Sequence, residues 1–400
     1  MKVNRQAGVV QGSILVAQSV FPAMGAVLLV PVVPLLFREY GAMPNAQYWV
    51  PVLLTVPSLC IALLSPLVGW LADTVGRRPV LIAGLTFYGL AGIAPMFLES
   101  FAAIFASRVI LGVGDAIIIV VSAVMVGDYF EGARRARWLA LFSTVASLAA
   151  AVFLAIGGAL GAAYGWRGAV AVYGLAVIFV PAMLLYTWEP VAPANVSPTA
   201  RESSIPGLAR HLVITGLCTL FGAVLFYTLV LQQGLALAAL GTVDPARLGL
   251  LTAIASLGNP IATLVFRRFV HVSPAHMLTF AFGLVGAGLL TIGGVTDDLA
   301  FTAAAFVGLF GAGLLLPTLI CWTMRPLPFA RRGQGTAVFQ SSFALGQFGS
   351  SLIVPFLAGL IGGVASAFAL LGGLAAIAAV SAWVSARSAR ADEALQGEIA

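Results

Sequence analysis

The sequence predicts an all-α membrane protein of twelve transmembrane helices, built as two pseudo-symmetric six-helix bundles with both termini cytoplasmic. Three observations carry this expectation. Of the 400 residues, 61% are hydrophobic and 8% charged, and the mean hydropathy is +1.06. A soluble domain holds about 25% charged residues and relies on them to stay in solution, so a soluble enzyme, a nucleic-acid binder and a disordered chain are excluded. Apolar runs long enough to cross the hydrocarbon core, about 20 residues, recur along the whole chain. The basic residues fall almost entirely in alternate loops.

The runs lie at roughly 12–37, 48–72, 79–97, 101–127, 138–163 and 166–188, then at roughly 210–235, 246–270, 275–295, 299–323, 334–360 and 362–384. The first has too long an apolar core for a cleavable signal peptide, and no small-residue cleavage site follows it. Pro22, Pro31 and Pro34 predict bends in the first span and Pro317 in the tenth, because proline removes a backbone donor and clashes with the preceding turn. One connection is long and polar, Glu189 to Ala209, and its Pro and Ser content reads as a flexible linker. The domains expected are an N-terminal six-helix half over 1–188, a cytoplasmic linker over 189–209, and a C-terminal six-helix half over 210–400 ending in a short cytoplasmic tail.

With both termini on one side, that side collects Lys2, Arg5, Arg77, Arg78, Arg134, Arg135, Arg137, Arg201, Arg210, Arg267, Arg268, Arg325, Arg331, Arg332, Arg387 and Arg390. The other side collects Arg38, Arg167 and Arg247. Positive loops stay in the cytoplasm, so both termini are placed there and the number of spans must be even. The net charge of +6 is thereby explained as a topology signal rather than a nucleic-acid patch. The halves also repeat. Phe130-Glu131-Gly132-Ala133-Arg134-Arg135 followed by Leu141-Phe142 returns as Phe329-Ala330-Arg331-Arg332 followed by Val338-Phe339, and Ser65-Pro66 with Arg77-Arg78 returns as Asn259-Pro260 with Arg267-Arg268. Two similar six-helix halves about an axis along the membrane normal are a secondary-transporter architecture.

Between the second and third spans stands Gly69-Trp70-Leu71-Ala72-Asp73-Thr74-Val75-Gly76-Arg77-Arg78-Pro79-Val80-Leu81. Gly69 and Gly76 suit close helix contact and a tight turn, and Asp73 suits a neighbouring helix N-terminus. The segment resembles the G-x-L-a-D-r-x-G-r-[kr]-x-x-l signature of the major facilitator superfamily, and with the span count the resemblance covers the whole chain. It implies a cytoplasmic gate in which Asp73 is held against the start of the eleventh span, near Gly333 to Thr336. Arg77 is its basic partner, beside Arg78, and Asp128 is the acid at the end of span four. The simpler reading is that Arg77 and Arg78 only enforce topology.

Span four carries Arg108, Gly112, Gly114 and Asp115, which resembles the superfamily's R-x-x-x-G-x-G-a-a signature of proton-coupled members, with Asp115 where a small residue is usual. Seven residues are almost two helical turns, so Arg108 and Asp115 face one way about 10 Å apart. They are the only ionisable residues placed deep in a span, and such residues are functional candidates by default. Set between low dielectric and a guanidinium, which act on its charge in opposite senses, Asp115 can take up and release a proton or hold a cationic substrate. The alternative is a static ion pair that fixes packing. In span five the superfamily's antiporter pattern G-P-x-x-G-G would fall on Phe153 to Gly158, and only Gly157-Gly158 survives.

The resemblance places spans 1, 4, 7 and 10 around a central cavity with 2, 5, 8 and 11 beside them. Substrate-binding candidates are Gln18, Phe21, Asp115, Tyr227, Gln232, Asn259, Gln340, Phe343 and Gln347, the last three on one helical face. Amides and aromatics suit a moderately apolar organic solute, although each of these residues serves helix packing equally well. Cys60, Cys218 and Cys321 are widely spaced, apolar in context and read as buried hydrophobes. His271, His276 and Met277 share a loop with no third strong ligand nearby, so no metal is expected.

The function expected is secondary active transport: proton-coupled export of small, largely apolar organic compounds by alternating access, with proton-coupled or facilitated import of an organic metabolite as the rival. An enzyme is disfavoured, because no His lies inside a span and no nucleophile or metal-ligand group converges at one depth. A non-transporting receptor or scaffold is the third reading. The partners expected are a small organic substrate, protons and the lipid bilayer, with no nucleic acid. The protein is expected to be a monomer that uses no cofactor beyond the proton gradient. One lysine, Lys2, among 20 basic residues points to a GC-rich bacterial genome and hence to the bacterial inner (plasma) membrane.

Overall fold

The computed structural model describes residues 7–190, 207–269, 271–327 and 332–399, with side chains of 332–333 and 388–399 left undescribed. Lys2, Arg5, Arg201, Arg331, the Arg332 and Arg390 side chains, most of the linker, and the Phe329-Ala330-Arg331-Arg332 repeat lie outside the described residues. Eleven helical runs are long and apolar enough to cross a membrane. One of them, Gly132–Tyr186, has 55 residues, about 80 Å at 1.5 Å per residue and more than twice the hydrocarbon thickness. Its helix breaks at Gly165, where φ is +70° and ψ 178°, a conformation that favours glycine. Divided there, the eleven runs become twelve spans, and the described residues are helical nearly throughout.

In chain order the spans are α1 (Val9–Tyr40), α2 (Ala46–Val75), α3 (Arg77–Ile93), α4 (Phe101–Tyr129), α5 (132–164) and α6 (166–186). They continue as α7 (Leu208–Leu231), α8 (Pro245–Phe269), α9 (Pro274–Ile292), α10 (Asp298–Met324), α11 (Arg332–Ile361) and α12 (Val364–Ile399). The last is helical well past the apolar segment ending near 384. Three spans are interrupted among the described residues: α1, α8, and α6, where a 3-10 turn spans Ala171–Gly174. Within α1 the helical pieces are Val9–Ala17, Val20–Val27 and Val33–Tyr40, with a 3-10 turn at Val30–Val32. The second break falls where Pro31 and Pro34 withhold backbone donors. Within α8 the break at Leu257 separates Pro245–Ser256 from Gly258–Phe266, just ahead of Pro260. Pro317, in contrast, sits inside an uninterrupted α10.

The described chain divides into two compact units, Met1–Glu202 with Asp244–Leu250, and Ser203–Val243 with Leu251–Ala400. The short segment Asp244–Leu250 joins the first unit, where Gly249 and Gly158 pack so closely that a methyl on either would meet the other's backbone at 2.7 Å. Inside unit 1, α4 packs on α2 and α3, α1 on α5, and α3 on α6. Inside unit 2, α10 packs on α8 and α9, α7 on α11, and α9 on α12. These are the same pairings six helices later, so the halves repeat in packing as well as in sequence. Glycines make the central contacts in both. A methyl on Gly112 would press on Pro57 and Cys60 of α2, and one on Gly114 on Gly84 and Tyr88 of α3. Likewise Gly313 faces Asn259 and Ala262 of α8, and Gly311 faces Ala281 and Val285 of α9. Outward-facing Leu63, Leu67, Phe97, Ile178, Leu185 and Leu217 are exposed, as helices that meet hydrocarbon must be.

Candidate functional site

Three clusters gather the polar residues singled out in the sequence. The first is sealed within unit 1. Arg108 is 1% and Asp115 2% exposed, both on α4 and two turns apart. Arg108 does not reach Asp115. Its Nε donates to the Leu53 carbonyl of α2 at 3.4 Å and its Nη2 to the Gly25 carbonyl of α1 at 3.3 Å, and its guanidinium lies 5.1 Å from the ring centre of Tyr173 on α6. No ion pair joins the two among the described residues. Arg108 Nη1, Asp115 Oδ1 and the Tyr173 hydroxyl are buried without a hydrogen-bond partner. The Tyr88 hydroxyl of α3 donates to the Phe21 carbonyl at 2.5 Å, and the Tyr88 ring meets Tyr173 edge-on at 5.7 Å. Such unpaired buried groups are rare and call for an explanation.

Gln18 and Phe21 belong to the same interior. The Gln18 amide donates to Met183 Sδ at 2.6 Å and accepts from the Ser122 hydroxyl at 2.6 Å. Phe21 packs between Tyr88 and Phe179. Both are buried inside unit 1, with their side chains engaged in helix packing.

The second cluster sits at the end of unit 1 that also holds the end of α4. Arg77 pairs with Asp128 and, at 3.4 Å, with Asp73. Gly76 has φ +110°, so the tight turn expected there is present. Close contact at Gly69 is not: no described atom comes within 4 Å of where its Cβ would stand. The turn is held by a residue the sequence reading did not single out. The Glu189 carboxylate accepts from the backbone N–H of Arg77 at 2.7 Å and of Arg78 at 2.9 Å, satisfying two free donors at the start of α3, where a negative charge is favoured. A side chain at position 76 would crowd that carboxylate at 3.2 Å. Arg78 Nη2 donates to the Leu184 carbonyl at 2.7 Å, and Tyr129 stacks on Trp188 with ring centres 5.1 Å apart.

The third cluster lies in unit 2, between α7 and α11. Tyr227 and Phe343 meet with ring centres at 5.2 Å. Phe226 and Phe339 join them, Phe339 stacked on Phe343 at 6.0 Å and 6°. Gln347 is buried, while Gln340 and Phe343 are half-buried. Gln232 closes the end of α7 and is buried. Asn259 is half-buried just past the α8 break, and its carbonyl accepts from Thr263 at 3.0 Å. Phe339 could have been found from its i, i+4 spacing to Phe343. Tyr88, Tyr173 and Glu189 carry no such local signal, because tertiary packing brings them in. Among the described residues no group of three or more His, Cys, Asp or Glu could hold a metal.

These geometries can be set beside known proteins. The chain is 26% identical over 303 residues to the 3-(3-hydroxy-phenyl)propionate transporter of Escherichia coli (strain K12), covering 73% of this chain and 72% of that one. It is 24% identical over 263 residues to the multidrug resistance protein MdtL of Escherichia coli (strain K12 / DH10B), covering 63% of this chain and 62% of that one. In fold it is similar to the crystal structure of a D-xylose-proton symporter, with a TM-score of 0.76, 14% identity, and coverage of 93% of this chain and 96% of that one. The family model of the Major Facilitator Superfamily matches residues 15–350. A transporter fold of two six-helix halves, relatives that are transporters, and a family match over most of its length together mean that the chain belongs to the Major Facilitator Superfamily.

Proposed function

We propose that this transporter is a proton-coupled exporter of small, largely apolar organic compounds, working by alternating access from the inner membrane of a bacterium as a monomer with both termini cytoplasmic. Asp115 carries the proton and Arg108 tunes it. The observation that carries this reading is the Asp115 carboxyl, buried in α4 with no hydrogen bond and out of ion-pair reach of Arg108. A permanent charge held that way would be very unfavourable, whereas a group that gains and loses a proton is not bound to stay charged. The aromatic and amide residues of unit 2, Tyr227, Phe343, Gln340 and Gln347 with Phe226 and Phe339, are the proposed contacts for a flat, apolar solute, with Gln232 and Asn259 beside them. Asp73, Arg77, Arg78 and Asp128 form the cytoplasmic gate, with Gly76 and Glu189 holding its turn.

The test is dye accumulation in an efflux-deficient bacterial host, comparing wild type, Asp115→Asn and empty vector, with and without a protonophore. Lower accumulation with wild type, restored by the mutation or the protonophore, supports the proposal. Equal accumulation in all three at equal expression removes broad export. The second reading, proton-coupled or facilitated import of an organic metabolite, is favoured by the similarity over 73% of this chain to a transporter named for an aromatic acid and by the half-lost span-five pattern. Uptake of a labelled aromatic acid by the same strains separates the two. For the gate, Asp73→Asn should raise cysteine labelling from the cytoplasmic side; unchanged labelling would remove that assignment.

A further inference from the structure

We propose that the start of α5 is a docking strip for one anionic phospholipid, its phosphate held at Arg134 and Arg137 and an acyl chain laid along Leu141 and Leu148. This does not depend on what the protein carries. Arg134, Arg135 and Arg137 stand in the first two turns of α5, and all three are exposed. Arg134 is braced, with its guanidinium 5.5 Å from the centre of the Phe130 ring and its Nη2 donating to the Ala7 carbonyl at 3.4 Å. Arg135 lies over Gly127 of α4, where a Cβ would meet it at 2.9 Å. Arg137 has no hydrogen bond or ion pair among the described residues. The acids nearby are Glu131, exposed at the N-cap, and Asp128, which is taken by Arg77. The tip of α5 is therefore a basic surface with free valence.

Helical spacing sets the rest of the strip. Arg134, Arg137, Leu141 and Leu148 fall at i, i+3, i+7 and i+14, one face of a helix. Leu141 is 46% and Leu148 47% exposed, while Gly157 and Gly161, on the opposite face, press on Leu28 and Val32 of α1. In a membrane an apolar row left outside the protein is covered by acyl chains. Leu148 lies about 16 Å from Arg137 along the axis at 1.5 Å per residue, close to one leaflet of a hydrocarbon core about 30 Å thick. A lipid over Leu141 and Leu148 thus has its head at the arginines. Trp138 marks the same level, half-buried against Gly12 of α1 and tilted on Phe130 at 5.4 Å, since tryptophan favours the membrane–water boundary. The first turn of α5 also has no side-chain cap. The matching turn of α3 has its donors met by the Glu189 carboxylate; at α5 the anion comes from outside the chain. A phosphate can satisfy the free N–H groups and pair with the guanidiniums. A zwitterionic lipid brings its own cation to compete with the arginines, so the strip selects a head of net negative charge.

The test uses purified full-length protein in micelles mixed with phosphatidylglycerol or phosphatidylcholine, with retained lipid counted by native mass spectrometry. Wild type should hold one phosphatidylglycerol in preference to phosphatidylcholine. Arg134→Gln with Arg137→Gln should weaken that retention about 25-fold, about fivefold for each arginine at a charged membrane surface. Arg267→Gln with Arg268→Gln, which removes the same charge from the exposed end of α8, should keep it. Arg137→Gln alone has no side-chain partner to lose, so it should fold and weaken retention about fivefold; this decides the matter where the double variant does not fold. Equal retention of the two lipids by wild type overturns the proposal. So does equal loss in the two double variants, which is diffuse attraction to basic loops. Glycerophosphoglycerol, the same head without chains, should not displace the lipid at equal concentration. Displacement would mean that the anion is held without the apolar strip, and would overturn the docking of a lipid.

Discussion

Unit 1 and unit 2 make the same helix pairings and fill them with different chemistry. In unit 1 the central helix α4 turns Gly112 to α2 and Gly114 to α3 and carries Arg108 and Asp115 into the interior. In unit 2 the matching helix α10 turns Gly313 to α8 and Gly311 to α9, and buries Leu314, Leu315 and Thr318. The same packing is therefore reached without a buried charge. Charged groups inside α4 are not a requirement of the fold, which is the strongest reason to look for their purpose in transport. Unit 2 instead supplies rings and amides, the groups that hold an uncharged solute. On the proposed function the difference is a division of labour: one copy of the repeat for the proton, the other for the cargo.

The largest test of this contrast is Arg108→Ala. It strips the donor from the buried Gly25 and Leu53 carbonyls, and should lower stability by about 1–3 kcal/mol for each. Thr318→Ala in unit 2, whose hydroxyl bonds only the Leu314 carbonyl of its own helix, should lose about 1 kcal/mol or less. Thermal unfolding of the purified proteins measures both, and equal losses would break the asymmetry. Next is Arg77→Ala. Its pair with Asp128 is mostly buried, with side-chain exposures of 17% and 13%, so the loss should fall at about 1–3 kcal/mol, between surface and buried pairs. Its counterpart Arg267, which has no ion pair among the described residues, should tolerate alanine within about 0.5 kcal/mol.

Phe343→Ala sharpens the comparison from the other side. Aromatic pairs contribute about 0.5–1.5 kcal/mol, so the apparent KM should rise roughly 2- to 10-fold while the pH profile of transport stays put. Asp115→Asn should show the opposite pattern, losing the response to the proton gradient. Transport kinetics at several pH values distinguish them, and a moved pH profile in Phe343→Ala would merge the two roles. The smallest effect is expected at Gly69→Ala, where the open space allows a methyl at under about 0.5 kcal/mol. Gly76→Ala, at φ +110°, should lose more than about 1 kcal/mol.

Much of this was legible beforehand. Hydropathy and loop charge depend on composition over twenty residues, so the spans and their repeat could be read directly. Arg108 and Asp115 announced themselves because charge is rare inside an apolar run. The Arg77–Asp128 pair came from a spaced motif. What escaped was whatever depends on neighbours distant in sequence. Tyr88 and Tyr173 look like ordinary apolar-span tyrosines until α3 and α6 bring them to Arg108. Glu189 looks like the first residue of a linker until it caps α3. Gln18 and Phe21 could be read equally as cavity or packing residues, since a polar or aromatic side chain at mid-span says nothing of the direction it faces; in the structure they contact Met183, Ser122, Tyr88 and Phe179 inside unit 1. The breaks in α1 and α8 sit beside prolines, but so does unbroken α10, because whether a proline interrupts a helix depends on what its neighbours hold in place.

The turn at Gly165 bears on how the protein is made. With one glycine separating α5 from α6, there is no loop for the insertion machinery to pass across the bilayer on its own. The two helices must enter together as a hairpin. With both termini cytoplasmic, as proposed, the charge that travels with the tip is Arg167, which pairs with Glu39 at 2.9 Å. Moving an arginine through hydrocarbon costs about 2.5–3.5 kcal/mol on the insertion scale, a small toll beside the favourable transfer of two apolar helices. Lengthening that turn with polar residues would raise the toll and give the second helix a chance to stall on the wrong side.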